Sequence, residues 1–97
     1  MSSLNVRRLV LDVDKAIDRP EILEIEAAMH AVPGVEATNI TVTSIDIETV
    51  GMNVTIQGTE LDYDAIRRAI EHTGAVCHSI DEIAAGEYLI ENIKRSR

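Results

Sequence analysis

The stretch that decides the fold is Val35–Gly58, VEATNITVTSIDIETVGMNVTIQG. In both of its halves every second residue is apolar: Ile40 and Val42, then Met52, Val54 and Ile56. This period of two residues is typical of strands that bury one face. We place the break between the halves at Thr49–Gly51, so the stretch predicts a β-hairpin.

The first strand of this hairpin changes parity along its length. Ile40 and Val42 share a face that Ile45 and Ile47 do not continue. An extra residue in one strand shifts the side chains that follow it to the other face. We therefore expect a β-bulge or a twist near Thr43–Ser44.

Upstream of the hairpin, the sequence predicts a strand and a helix. The strand covers Arg8–Asp14 and buries Leu9, Leu11 and Val13. The helix runs from Pro20 to about Ala31, with Asp18 or Arg19 just ahead of Pro20, which suits a first helical turn. Its apolar stripe is Ile22, Ile25, Met29 and Val32. Pro33-Gly34 ends this helix.

Downstream, the sequence predicts a second helix and a fourth strand. Asp62 is suited to cap a helix over Tyr63–Thr73, which Gly74 ends. The strand covers Ala75–Ala85, and we expect Val76 and Ile80 to face the core.

The resulting order, β-α-β-β-α-β, predicts an α+β protein with a ferredoxin-like sandwich. The four-stranded antiparallel sheet has the order 4-1-3-2, and both helices lie on one face. We expect a single domain over residues 1–97, with its core at about 6–86. The C-terminal tail, 87–97, is either a short amphipathic helix or a further strand.

Composition narrows the classes of function. The chain has 97 residues and a net charge of −8, with no Trp, no Phe and two Tyr, so its core must be aliphatic. The negative charge opposes binding to nucleic acids and to anionic membranes. The longest apolar run is far shorter than the roughly 20 residues that span a bilayer, and the N-terminus lacks a signal-peptide pattern. We expect a cytoplasmic protein.

Four segments together resemble the archaeal family catalogued as domain of unknown function 211. They are RRLVLDV (Arg7–Val13), VPGVEATNITVTSIDIET (Val32–Thr49), LDYDAIRRAIEHTGA (Leu61–Ala75) and HSIDEIAAG (His78–Gly86). The resemblance covers nearly the whole chain. It implies a ferredoxin-like fold in a homo-oligomer, with divalent cations as candidate ligands, and it carries over no established activity and no site residues.

Two other ferredoxin-like groups share part of the pattern. Heavy-metal-associated domains share the VPGV turn at Val32–Val35 and the helix end at Ile66–Gly74. They bind soft metals through a C-x-x-C in their first loop, whereas here that loop is Lys15–Asp18, so soft-metal transport is excluded. Regulatory amino-acid-binding modules of the ACT type bind a small ligand where strand one meets helix one, across an oligomer interface, but they usually carry a glycine there that this chain lacks.

Acidic residues concentrate at one predicted end of the sheet. Four lie around the junction of strand one and helix one, and two lie near the end of strand two: Asp12, Asp14, Asp18 and Glu21, then Asp46 and Glu48. Carboxylates are the ligands that Ca²⁺ and Mg²⁺ prefer. Asp14 and Asp46 are our candidate metal ligands, with the other four as nearby candidates. The alternative is a solvated acidic surface.

Cys77, His78, Ser79 and Asp81 offer a nucleophile, a base and an acid in one short segment. We expect residues 77, 79 and 81 on one face of the strand and His78 on the other, which separates the base from either nucleophile. We therefore predict no catalytic residue here, a packed or interface histidine, and a buried or half-buried structural cysteine. A single cysteine also excludes an intramolecular disulfide.

These observations favour a non-enzymatic, homo-oligomeric module that binds a small ligand or a divalent cation at subunit junctions. The alternatives are a small-molecule enzyme with a carboxylate base and a purely structural scaffold. We expect assembly through the sheet edges or the open sheet face, where Val10 and either Ile45 or Ile47 would be exposed. The predicted edge strand also has no Lys or Pro between Val35 and Glu48 to discourage pairing.

Overall fold

The computed structural model describes residues 4–91. Its elements are β1 (Val6–Ala16), α1 (Ile22–His30), β2 (Val35–Ile45), β3 (Thr49–Gly58), α2 (Tyr63–His72) and β4 (Val76–Ala85). The strands form one sheet in the order β2-β3-β1-β4, and each neighbouring pair is antiparallel. The predicted ferredoxin-like α+β fold is confirmed. None of the helices in residues 4–91 has the length and apolar character needed to span a membrane.

The core lies between the two helices and one face of the sheet. Its fully buried side chains alternate along the two central strands and repeat along each helix: Leu9, Leu11, Val13, Met52, Val54, Ile56, Ile25, Met29, Ile66 and Ile70. Burying one such side chain contributes about 1.5–3 kcal/mol. The opposite face of the sheet, here called the open face, carries mainly polar side chains: Asp12, Asp14, Asn39, Thr41, Asn53, Thr55, Gln57, Ser79 and Glu82.

The two helices begin differently. Asp62 caps α2 as predicted, since its carboxylate accepts a hydrogen bond from the Ala65 N–H at 3.2 Å. The predicted helix starts at Pro20, whereas α1 begins at Ile22 and its N-cap is Glu21. The Glu24 carboxylate accepts the Glu21 N–H at 2.9 Å, which satisfies one free donor at the helix end.

The hairpin turns earlier than its sequence pattern predicted. β2 ends at Ile45, and residues 46–48 form the turn. The Asp46 N–H donates to the Thr49 carbonyl at 2.8 Å, and the Asp46 carboxylate accepts the Ile47 N–H at 2.8 Å. These bonds close the turn, so the predicted break at Thr49–Gly51 was wrong.

The predicted bulge in β2 is confirmed. Val42 lies opposite Met52, but the next pair is Ser44 with Gly51, which leaves Thr43 as the extra residue. The bulge returns Ile45 to the face of the sheet that the helices cover, where it lies opposite Val50.

The predicted orientation of β4 was right for Ile80 and wrong for Val76. Val76 lies opposite Asp14 on the open face, and Cys77 points to the core instead. Ile80 is on the helix side, opposite Leu11, but it is 38% exposed because β4 lies at the edge of the sheet. Residues 87–91, after β4, form neither of the two structures predicted for the tail, whose other residues, 92–97, lie outside the described range.

Candidate functional site

A groove opens where β1 ends, α1 begins and the β2–β3 hairpin turns. Its volume is about 490 Å³. It is lined by Lys15, Ile17, Asp18, Glu21, Ile22, Leu23, Val42, Ile45 and Val50, and we call it the junction groove. This volume falls within the range of small-molecule sites, about 300–1,000 Å³.

Two stretches that are distant in sequence, residues 15–23 and 42–50, build the junction groove. The Ile17 N–H donates to the Glu48 carbonyl at 3.0 Å, which ties the loop after β1 to the hairpin turn. Leu23, in the first turn of α1, is 78% exposed, and Ile45 is 71% exposed although it lies on the helix side of the sheet. The groove therefore has aliphatic walls that are open to solvent.

Lys15 is the cation of the junction groove. It is only 8% exposed, and it lies opposite Val50 on the helix side of β1. Its ammonium donates to the carbonyls of Ala16 at 3.1 Å and of Ile17 at 3.4 Å. Within residues 4–91 no ion pair joins it to Asp18 or Glu21. A lysine has three N–H donors, so one remains for another acceptor.

The predicted cation ligands are divided among three places. Asp12 and Asp14 lie on the open face of β1, whereas Asp18 and Glu21 line the junction groove. The remaining two, Asp46 and Glu48, lie in the hairpin turn at the same end of the sheet. In the described part of the chain, no three His, Cys, Asp or Glu residues are grouped closely enough to hold a metal ion.

Asp14 and His78 form a pair on the open face. The Asp14 carboxylate lies 2.8 Å from His78 Nε2, and both side chains are partly exposed. The pairing of β4 with β1 skips His78, so Cys77 faces the core and Ser79 faces the open side. The expectation that residues 77, 79 and 81 share a face was therefore wrong.

Cys77 is the half-buried structural cysteine that the sequence predicts. It packs against the core, and burial together with the Glu71 carboxylate raises its pKa to about 11. The Ser79 hydroxyl donates to Asp81 at 2.8 Å. Neither group meets the requirements of a nucleophile activated by His78.

Comparison with known proteins places the chain in a family. The model of a family described as Uncharacterized ArCR, DUF211, matches residues 7–97. The chain belongs to the DUF211 family. A relative, the uncharacterized protein MJ0319 of Methanocaldococcus jannaschii, is 40% identical over 89 residues, which make up 92% of this chain and 91% of that protein. The part that matches DUF211 includes every residue of the junction groove.

Sequence reasoning placed the acidic residues of this DUF211 protein but missed Lys15 as part of a site. The signal was present, because the alternation of Leu9, Leu11 and Val13 continues to Lys15. A period of two places that lysine on the buried side of β1. Leu23 gave no such signal, since its role depends on the hairpin turn that lies nearby only in the folded protein.

Proposed function

We propose that this protein is a non-enzymatic, homo-oligomeric module that holds a small ligand or a divalent cation where its subunits meet. The observation that carries the proposal is the exposed aliphatic surface around the hairpin turn. Ile47 is 87% exposed, and it lies at the same end of the sheet as Ile45 and Leu23. A contiguous exposed apolar surface is typical of an interaction site.

The free edge of β2 supports the same proposal. β2 pairs with β3 on one side, and within residues 4–91 no strand pairs with its other side. An unpaired edge without Lys or Pro is a template for pairing with a second chain. The open face gives less support, because it is mainly polar and Val10, its predicted aliphatic residue, is already half-buried. We therefore favour the edge and the hairpin turn as the contact surface.

The cation alternative requires a second subunit. One chain places Asp14 and Asp46 at the same end of the sheet but gathers no complete set of ligands among its described residues. Ca²⁺ takes six to eight oxygen ligands, so a neighbouring subunit would have to supply the others. A site at the subunit junction meets that requirement.

Light scattering on a size-exclusion column, at micromolar protein, tests the assembly. We expect a multiple of 10.7 kDa that survives high salt, because apolar contacts are not screened. Stable association needs an interface of about 1,600 Å². A symmetric arrangement would close such an assembly as a ring or as a dimer of dimers.

Two substitutions to lysine locate the contact. Ile47→Lys introduces a charge into the proposed interface and should shift the mass toward that of the monomer. Ala27→Lys introduces the same charge at an exposed position of α1 and should leave the mass unchanged. A wild-type mass near 10.7 kDa would refute the assembly, and an Ile47→Lys protein that stays assembled would refute the role of the hairpin turn.

A further inference from the structure

We infer that the junction groove binds the zwitterion of an aliphatic α-amino acid. Lys15 would hold the carboxylate, Asp18 and Glu21 would hold the ammonium, and the aliphatic walls would receive the side chain. The inference rests on the proposed function, in which the module holds a small ligand, and it names the chemical class of that ligand.

Lys15 brings a buried positive charge into the groove. A charged side chain that is 8% exposed is rare unless it is paired, and this one is held by two backbone carbonyls. Both contacts are neutral dipoles, so the positive charge itself has no anionic partner among the described ion pairs. A ligand carboxylate supplies the missing charge and accepts the third N–H.

The groove also carries two carboxylates, those of Asp18 and Glu21. Asp18 and Glu21 are both exposed, and within residues 4–91 neither side chain forms an ion pair. The groove holds two carboxylates and one ammonium, that of Lys15, so its lining is negative in sum. It therefore repels a ligand that carries only negative charge. A ligand with both an ammonium and a carboxylate matches both sides of the groove.

The rest of the groove lining is apolar. Six aliphatic side chains line the groove: Ile17, Ile22, Leu23, Val42, Ile45 and Val50. Ligand pockets are typically apolar surfaces with a few placed polar groups that fix orientation. A short branched hydrocarbon side chain buries area against these walls, whereas a polar side chain would lose its hydration without gaining a partner.

Isothermal titration calorimetry with L-leucine tests the inference. Two analogues separate the charges: 4-methylpentanoate lacks the ammonium, and 3-methylbutylamine lacks the carboxylate. We expect saturable binding of leucine and at least about tenfold weaker binding of each analogue, since each loses one charge-assisted contact. Equal binding of either analogue, or no saturable heat with leucine up to about 10 mM, overturns the inference.

Three variants test the named residues. Lys15→Met keeps most of the length of the side chain but removes its charge, and Asp18→Asn removes a carboxylate at an exposed position. Each should weaken leucine binding by about tenfold. Asp64→Asn, the same change in the first turn of α2, should leave binding unchanged. If the Lys15→Met protein does not fold, the Asp18→Asn protein provides the test. An unchanged affinity of that variant for leucine overturns the inference.

Light scattering on the same samples separates this inference from the proposed function. An assembled protein that binds no leucine refutes the amino-acid ligand and leaves the oligomer standing. A monomer that binds leucine with the expected dependence on Lys15 refutes the oligomer and supports the ligand.

Discussion

The thiol of Cys77 shows how burial changes the chemistry of a single residue. Its pKa is raised to about 11, mainly by burial and then by Glu71. Only the thiolate reacts with iodoacetamide, so we expect the alkylation rate to rise about tenfold per pH unit from pH 8 to pH 10.

A matched thiol controls this measurement. Ser79→Cys in a Cys77→Ser background places a cysteine at an exposed position of the same strand. With an ordinary pKa of about 8.5, its rate should level off near pH 9. A Cys77 rate that levels off below pH 9 would show that burial does not control this thiol.

Asp14 and Asp46 are the residues on which the cation proposal depends. Their replacement by Asn in one protein should abolish any rise in melting temperature caused by Ca²⁺ or Mg²⁺, because amides are weaker ligands than carboxylates for these ions. Asp14→Asn also weakens the contact with His78, which can change the melting temperature without any ion. The quantity to compare is therefore the difference in melting temperature with and without the ion. An unchanged rise in the double variant would place the ion elsewhere.

At the scale of elements, the end of β3 packs directly against the turn that follows α1. A Cβ atom on Gly58 would lie 1.9 Å from the Gly34 carbonyl oxygen, which is backbone and cannot rotate away. We expect Gly58→Ala to lower the free energy of unfolding by about 1–3 kcal/mol or more in urea denaturation.

Gly51→Ala is the control in the same strand. The nearest atom to its added Cβ is Ser44 Oγ at 2.6 Å, the end of a side chain that can adopt another rotamer. Gly51→Ala should therefore lower the free energy of unfolding by clearly less than Gly58→Ala does. Both variants must be compared at one protein concentration, because association would also stabilise the fold. Equal costs would contradict the close backbone contact at Gly58.

At the scale of the whole molecule, the net charge of −8 sets the expected response to nucleic acids. A protein that binds duplex DNA neutralises phosphates and releases counterions, and a strongly acidic surface opposes that process. We expect no submicromolar binding of a duplex at about 150 mM salt in fluorescence anisotropy. Submicromolar binding of the duplex at that salt would show that a local basic surface outweighs the net negative charge of the protein.

The elements and their order followed from the sequence because they depend on local patterns. The alternation of Leu9, Leu11 and Val13, the cap at Asp62 and the parity change near Thr43 each have a cause within a few residues. Connection rules then determined the sheet order without further information. The bulge in β2 was predictable for the same reason, since its effect on parity is visible within the strand itself.

Only the tertiary structure decided the orientation of β4 and the composition of the candidate site. The bulges of β4 arise in its pairing with β1, so the sequence of β4 alone predicted the wrong faces for Val76 and Cys77. The junction groove joins Lys15, Leu23 and Ile45 from three separate elements. The sequence thus determined which face of most helices and strands is apolar, because apolar residues recur at the period of each element. The fold decided which aliphatic walls face the charges of the groove, because Val42, Ile45 and Val50 are distant in the chain from Lys15.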